Sequence, residues 1–335
     1  MIKTGSTLYA YTNEWRAGQY TLDEMIAKVA ALNLGPGLEV VGFQSFKGFP
    51  HLTPDQIRNF RNALESNGLE PSCLGTNIDV ALRSDRFLTE DEMVDYLAAQ
   101  VKVARLLGYP VARIQIGATP GVIERIAPVA EKAGVKLGME LHAPEAATTP
   151  AIVAVRECYD RIGSEYLGFI PDFSATMTAV PRGMLDQFVR DGLPASLLPA
   201  LVEIWSGDEL PHVRFNRFAA LAKEQGAEGP VVDQTRLAYT MFGHADPQGW
   251  REILDRVVHV HGKFYEIEDG TEPSIPYAEL LGLLVEGGYD GVISSEWEGH
   301  AFATEHDVDA FALVGEHQEM CRTLLAAATS GGGQR

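Results

Sequence analysis

The sequence has 335 residues, 46% of them hydrophobic, enough to bury a substantial core as one large domain or two ordinary ones. Its formal net charge of −19 repels a polyphosphate backbone, which excludes nucleic acid and leaves small molecules or other proteins as partners. No basic segment precedes an apolar run at the start, no stretch approaches the roughly 18 apolar residues that span a membrane, and Cys73, Cys158 and Cys321 form no CxxC pair; a cytoplasmic protein without disulfide framework or thiolate metal site is expected.

The chain opens with a β-like run, "IKTGSTLY", after which Thr21 and Glu24 stand at capping-box spacing and predict a helix start. "LEVVGFQSF" follows, then a second box, Thr53 with Gln56, with Pro54 at the first helical position and Ile57, Phe60 and Leu64 repeating at helical spacing. The run "LEPSCLGTNI" precedes a third box, Thr89 with Glu92, and "YPVARIQIG", "VKLGMELHA" and "LGFIPDFSA" continue the alternation. "VVHVHGKFY" and "GVISSEWEG" bring the count to eight. Eight strand-helix units predict an α/β chain folded as a (β/α)8 TIM barrel. An open doubly wound sheet is the rival, weakened because no strand-turn-helix carries a GxGxxG or P-loop phosphate cradle.

One crossover helix cannot occupy the interval between Asp172 and His261. The excess, about residues 181–245, contains short helical patterns ("PRGMLDQFVRDG", "LPASLLPALVEIW", "HVRFNRFAALAKEQG") and predicts a helical insertion between strands 6 and 7, packed over the barrel mouth. Residues 1–325 then form a single domain. The acidic stretch from Glu305 to Asp309 complements the dipole of a last helix, and the small, polar "ATSGGGQR" predicts a disordered tail over 326–335.

The stretch "GMELHAPE", residues 138–145, places Glu140 and His142 on one face of a buried strand, where an unpaired ionisable group is costly. Comparable residues lie toward the carboxyl end of three later proposed strands: Asp172, His261 and Glu296. In a barrel the four converge at the carboxyl end of the strands. Three carboxylates and an imidazole suit a divalent ion, Mn²⁺ first, with Mg²⁺ or Co²⁺ as alternatives, and leave positions open for substrate oxygens.

This pattern resembles the xylose isomerase-like TIM barrel superfamily of sugar isomerases, epimerases and metal endonucleases. The resemblance implies metal ligands Glu140, Asp172, His261 and Glu296; the choice of His261 over His259 rests on the family's His-x-Lys pattern, matched by "HGK". Ala175 and Ala146 stand where ketose epimerases have a histidine and a second glutamate, and the extra histidines and cationic surface of the DNA-repair branch are missing. "MELH", the long insertion and "SEWEGH" together are similar to the α subunit of bacterial C-glycoside deglycosidases. That likeness implies a small β subunit in a hetero-oligomer and a substrate oxidised at sugar C3, an oxo C-glucoside of a flavonoid or other polyphenol.

On this reading the chain is a carbon-carbon lyase. His142 removes the C2 proton beside a metal-polarised ketone, Glu140 and Glu296 are the next candidate bases, and the aglycone leaves C1 by β-elimination. Lys263, Glu298 and His300 are candidate substrate contacts, and Trp15, Phe46, Phe49, His51 and Trp297 candidate walls of an aglycone pocket. A metal-dependent sugar isomerase or epimerase is the rival enzyme. A catalytically silent binding or assembly subunit is the alternative from another class.

Overall fold

The computed structural model describes residues 1–78, 82–303 and 308–331. Its eight strands are β1 (Lys3–Thr7), β2 (Gly37–Val41), β3 (Glu70–Gly75), β4 (Val111–Ile114), β5 (Lys136–Leu141), β6 (Leu167–Pro171), β7 (Val260–Phe264) and β8 (Val292–Trp297). They pair in parallel in the order β6-β5-β4-β3-β2-β1-β8-β7. The ends of that series meet: the Val258 N–H donates to the Phe169 carbonyl at 3.0 Å, and Asp172 bridges to His261. Gly168 permits the approach, since a Cβ there would lie 2.4 Å from the Arg256 carbonyl oxygen. The result is the (β/α)8 barrel expected from the sequence, with one strand at each β-like run.

Every residue of β2, β6 and β7 is buried, as expected for strands walled by helices outside and by one another's side chains inside. The three capping boxes form at Thr21, Thr53 and Thr89, each with reciprocal bonds worth about 1 kcal/mol of helix stability. The helices they open, Leu22–Ala31, Pro54–Ser66 and Glu90–Leu107, turn Met25, Phe60 and Leu97 toward the barrel. Gly108, at φ 93°, ends the last of them in the left-handed conformation.

Between β6 and β7 the chain forms helices Arg182–Arg190, Leu198–Trp205 and Pro211–Glu224, then short turns at Pro230–Gln234 and Arg236–Met241. Their shared core includes Leu201, Phe218 and Tyr239, and the Trp205 indole donates to the Phe242 carbonyl at 2.9 Å. The segment sits on the loops that follow β7 and β8. Backbone N–H groups of Arg182 and Gly183 donate to Glu266 at 3.0 and 3.1 Å, and Thr178 N–H donates to the Ser274 carbonyl at 2.8 Å.

The last helix, Ala310–Gly331, runs into the stretch read as a disordered tail. Alanine has the highest helix propensity, and the Thr329 and Ser330 hydroxyls bond back to the Ala326 carbonyl within the helix. Residues 332–335 and most of the acidic stretch before this helix lie outside the described residues. Asp309 acts as expected of a helix-start acid, accepting the N–H groups of Phe311 and Ala312 at 3.0 and 3.2 Å. All three cysteines are buried free thiols. Among the described residues no helix is long and apolar enough to cross a membrane.

Candidate active site

Strand alternation sends every second side chain inward. On β5 the inward set ends with Glu140 and, just past the strand, His142. On β7 it comprises His261 and Lys263, with His259 immediately before the strand, and at β8 it comprises Ser294, Glu296 and Glu298. Asp172 follows directly after β6 and is fixed by its Oδ1, which accepts the Ser174 N–H at 2.7 Å. The barrel thereby gathers the four residues singled out in the sequence: one ligand atom from each of Glu140, Asp172, His261 and Glu296 lies within 4.8 Å of the others, and all four are buried.

His261 is the pivot. Its Nδ1 stands 2.7 Å from Glu140 Oε1 and 3.2 Å from Glu296 Oε2, while its Nε2 faces Glu39 Oε1 at 3.0 Å. The other Glu39 oxygen meets His259 Nε2 at 3.0 Å, and His259 also reaches Ser294 Oγ at 2.9 Å. Burial alone would raise the Glu39 carboxyl, but the His261 charge and the bonds from both imidazoles hold it well below its usual range. Burial of Glu140 is likewise overcome, chiefly by the Arg113 guanidinium, whose Nη1 donates at 2.7 Å. Glu296 keeps a raised pKa, because burial outweighs the neighbouring Lys263 and His261.

Lys263 is buried, with Nζ 3.4 Å from Asp172, 3.2 Å from Glu296 and 3.0 Å from Glu298. These charges overcome its burial and keep the ammonium protonated. Tyr9 donates its phenol to Glu298 at 3.2 Å. His142, whose side chain is 32% exposed, ties Nδ1 to the Ala143 carbonyl at 2.7 Å and leaves Nε2 3.9 Å from Glu298, an ion-pair separation too long for a hydrogen bond. Burial pushes its pKa down, but the pull of Glu298 and Asp172 prevails and raises it to about 9.

The donor set suits a divalent cation. Asp172 Oδ2 and Glu296 Oε2 are buried and accept no hydrogen bond, although Lys263 Nζ and His261 Nδ1 stand at ion-pair distance from them, so each keeps a lone pair free for a metal. Five buried carboxylates, Glu39, Glu140, Asp172, Glu296 and Glu298, face two permanent cations, Arg113 and Lys263. With Nε2–H donated to Glu39, the His261 Nδ1 lone pair points at the other three donors. That is the carboxylate–histidine arrangement that orients imidazole ligands. A second cluster, Glu39 with Cys73 and His259, lies within the same separation but offers no open donors: its acid and imidazole are bonded together, and burial keeps the Cys73 thiol protonated.

Above the cluster opens a cavity of about 700 Å³, and it redistributes the remaining expectations. Lys263 and Glu298 line it as anticipated. His51 does not: it is exposed on the loop before Pro54–Ser66, where its N–H closes a turn onto the Gly48 carbonyl at 2.8 Å. His300 stands behind the wall, edge-on to Tyr9 with ring centroids 4.9 Å apart and Nδ1 3.1 Å from the Trp297 carbonyl. The expected aromatic wall also lies elsewhere. Trp297 is buried with its indole on the Tyr265 carbonyl, Phe46 packs on Phe60 in the core, Phe49 fills the space beside Gly42, and Trp15 packs against the core. Tyr9 and Phe43 take their place. Among the described residues none of the insertion lines this cavity.

Glu39, Arg113, Tyr9 and Phe43 are the site residues that sequence reasoning missed. Glu39 in "GLEVVG" and Arg113 in "PVARIQ" are each a lone ionisable group inside an apolar strand, without the second such residue that His142 supplies beside Glu140.

A family model described as "Xylose isomerase-like TIM barrel" matches residues 36–324. A 3'-dehydrocarminate deglycosidase alpha subunit from Microbacterium sp is 38% identical over 343 residues, covering 99% of this chain and 98% of that protein. A C-glycoside deglycosidase alpha subunit from Arthrobacter globiformis is 39% identical over 337 residues, covering 97% and 91%. Among solved structures, a D-tagatose 3-epimerase-like protein superposes with a TM-score of 0.56 at 15% identity, over 98% of this chain and 99% of that one. The IOLI protein with a bound zinc atom gives the same TM-score at 10% identity, over 98% and 99%.

Proposed function

The chain belongs to the xylose isomerase-like TIM barrel family, and from that premise we propose that it is the catalytic α subunit of a metal-dependent C-glycoside deglycosidase. Its substrate would be a 3-oxo C-glucoside and its reaction the cleavage of the bond between sugar C1 and the aromatic carbon. The observation that carries this reading is the placement of His142, open to the cavity beside Glu140, Asp172, His261 and Glu296, in a chain 38% identical to a deglycosidase α subunit along nearly its whole length.

Glu140, Asp172, His261 and Glu296 would hold the divalent ion, Mn²⁺ before Mg²⁺ or Co²⁺, and the bound ion would supply the positive charge that acidifies a carbon next to a ketone. The chain's own residues do the rest. The Nδ1–H bond to the Ala143 carbonyl fixes the His142 tautomer, so that in its neutral form Nε2 is the basic atom and accepts the C2 proton. Glu298 and Asp172 favour the imidazolium so formed. The C2 proton leaves first and reversibly; the electron pair it leaves behind then becomes the C1–C2 double bond when the C1–aryl bond breaks, and the aryl carbon takes up a proton. Lys263, held among Asp172, Glu296 and Glu298, fixes these carboxylates and screens their repulsion. Glu140 and Glu296 serve as ligands first, and as candidate bases only where His142 is dispensable.

The relatives' "alpha subunit" names support a partner subunit, proposed to be a small β chain in a hetero-oligomer. The sugar isomerase or epimerase reading shares the barrel and the donor cluster. Ala175 and Ala146 count against it, since both are buried and offer no polar contact to a sugar. The test is to incubate the purified chain, with and without a β subunit, with Mn²⁺ and a panel of 3-oxo C-glucosides and free ketoses. Release of free aglycone supports the lyase; a rearranged sugar with no release overturns it in favour of the isomerase.

A further inference from the structure

The cavity has two chemically distinct halves. Its floor is ionic. Its upper wall, built by the end of β2 and by residues just after β2, β3 and β4, presents Val41, Phe43, Ile78 and Ile116. Phe43 is 59% exposed and Ile116 40%, which sets them apart from the buried apolar residues of the barrel. Local geometry explains both positions. The short helical turn Gly42–Ser45 buries Gly42 and the following Phe46, so the intervening Phe43 is turned outward to the cavity. Ala118 N–H donates to the Gln115 carbonyl at 2.8 Å, closing a turn with Ile116 near its tip.

A polar group is built into the same wall. The fully buried Gln100 amide clamps the Asn77 backbone from both sides, accepting its N–H at 3.1 Å and donating to its carbonyl at 2.7 Å. Asn77 lines the cavity, and its side-chain oxygen is buried behind that surface without a hydrogen-bond partner. An apolar wall flanked by the two amides Asn77 and Gln115 is poorly matched to a free sugar, whose hydroxyls line every edge. It matches a flat phenolic ring system. A cavity of about 700 Å³ also falls among the roughly 300–1,000 Å³ pockets that enclose larger ligands.

We infer that Phe43 after β2, Asn77 and Ile78 after β3, and Ile116 after β4 form the aglycone subsite, with Phe43 and Ile116 as its stacking walls and the Asn77 amide beside them. This rests on the deglycosidase reading and places aglycone selection on the side of the barrel opposite the one the long insertion occupies. Leu82 and Phe87 are also exposed near this end but do not line the cavity, and play no part in the subsite.

The test measures equilibrium binding of the free flavone apigenin to the full chain by calorimetry, with fructose as the sugar control, alongside steady-state kinetics on an apigenin 3-oxo C-glucoside. Phe43→Ala should weaken apigenin binding on the order of tenfold, the scale of one lost aromatic stacking contact. It should raise KM by a similar factor with little change in kcat, and Phe43→Tyr should restore both. Ile116→Ala and Asn77→Ala should weaken apigenin binding while leaving metal content unchanged. Wild-type apigenin affinity in Phe43→Ala and Ile116→Ala overturns the subsite, even if the enzyme releases aglycone. If the wild type releases no aglycone yet binds apigenin through Phe43, the subsite stands and the deglycosidase reading falls. If Phe43→Ala keeps apigenin affinity but no longer co-elutes with the β subunit, this wall is a subunit interface and the inference is wrong.

Discussion

Glu39 touches no substrate in this account, yet replacing it should change how the site takes up metal. Both its oxygens are used, one by His261 Nε2 and one by His259 Nε2, each at 3.0 Å. Glu39→Gln keeps the shape but can accept from only one imidazole, so the other must change tautomer or lose its bond. Carboxylates that orient a ligand imidazole contribute roughly 10- to 100-fold to metal affinity, about 1.4–2.8 kcal/mol. A second effect runs the other way. Burial depresses the His261 pKa, but Glu39 and Glu296 raise it well above the ordinary value, so a proton competes with the metal for Nδ1. Removing the Glu39 charge weakens that competition. Mn²⁺ titration calorimetry across pH should therefore find Glu39→Gln weaker by 10- to 100-fold at alkaline pH, with the gap closing as pH falls and fewer protons released on binding. Equal affinity and equal proton release in the two proteins across the whole range would refute the role assigned to Glu39.

Three further outcomes are expected. Glu296→Gln and Asp172→Asn should each fall below one Mn²⁺ per chain by elemental analysis, and full occupancy in both would remove them as ligands. His259→Asn, which leaves all four donors in place, should bind more Mn²⁺ than His261→Asn; the reverse order would reassign the imidazole ligand. The buried Glu272 carboxyl, pushed up to about 7 by burial despite its bonds from Ser274, releases its proton later in the folded chain than in the unfolded one. Its contribution is complete below pH 4.5 and is lost as pH rises through about 7, at most about 3 kcal/mol. The melting temperature of Glu272→Gln should accordingly fall less than that of the wild type between pH 5 and pH 8, and parallel curves would contradict the assignment.

The barrel was legible because each strand is a short apolar run bounded by loop residues, and because three helices open with complete capping boxes at Thr21, Thr53 and Thr89. The four donors were legible because each is a metal-capable side chain in, or directly after, one of the last four strand runs, and the barrel's closure does the rest. Glu39 and Arg113 stand inside strands with no second ionisable residue on the same strand to mark them; what identifies them is contact with other strands, Glu39 with His261 across the barrel and Arg113 with Glu140 on the neighbouring strand. Phe43 and His51 show the limit for loops. Both lie after β2, yet one faces the cavity and the other the solvent, a difference set by the turn at Gly42–Ser45 and absent from residue type. The insertion's helices could be read from their apolar spacing. Its position could not, because that depends on partners such as Glu266 and Ser274, brought close only when the barrel closes.

The most direct measurement is the fate of the C2 proton. The Mn²⁺-loaded chain, with its β subunit, would be mixed with a 3-oxo C-glucoside in deuterated water and the products followed by NMR. The account predicts free aglycone carrying a new hydrogen on the former glycosyl carbon and a sugar with a C1–C2 double bond. His142→Ala should retain its metal and lose both C2 exchange and aglycone release by roughly 10²- to 10⁴-fold, the loss typical of a positioned base. Exchange at the wild-type rate in His142→Ala, or C2 exchange without any aglycone release in the wild type, would contradict it.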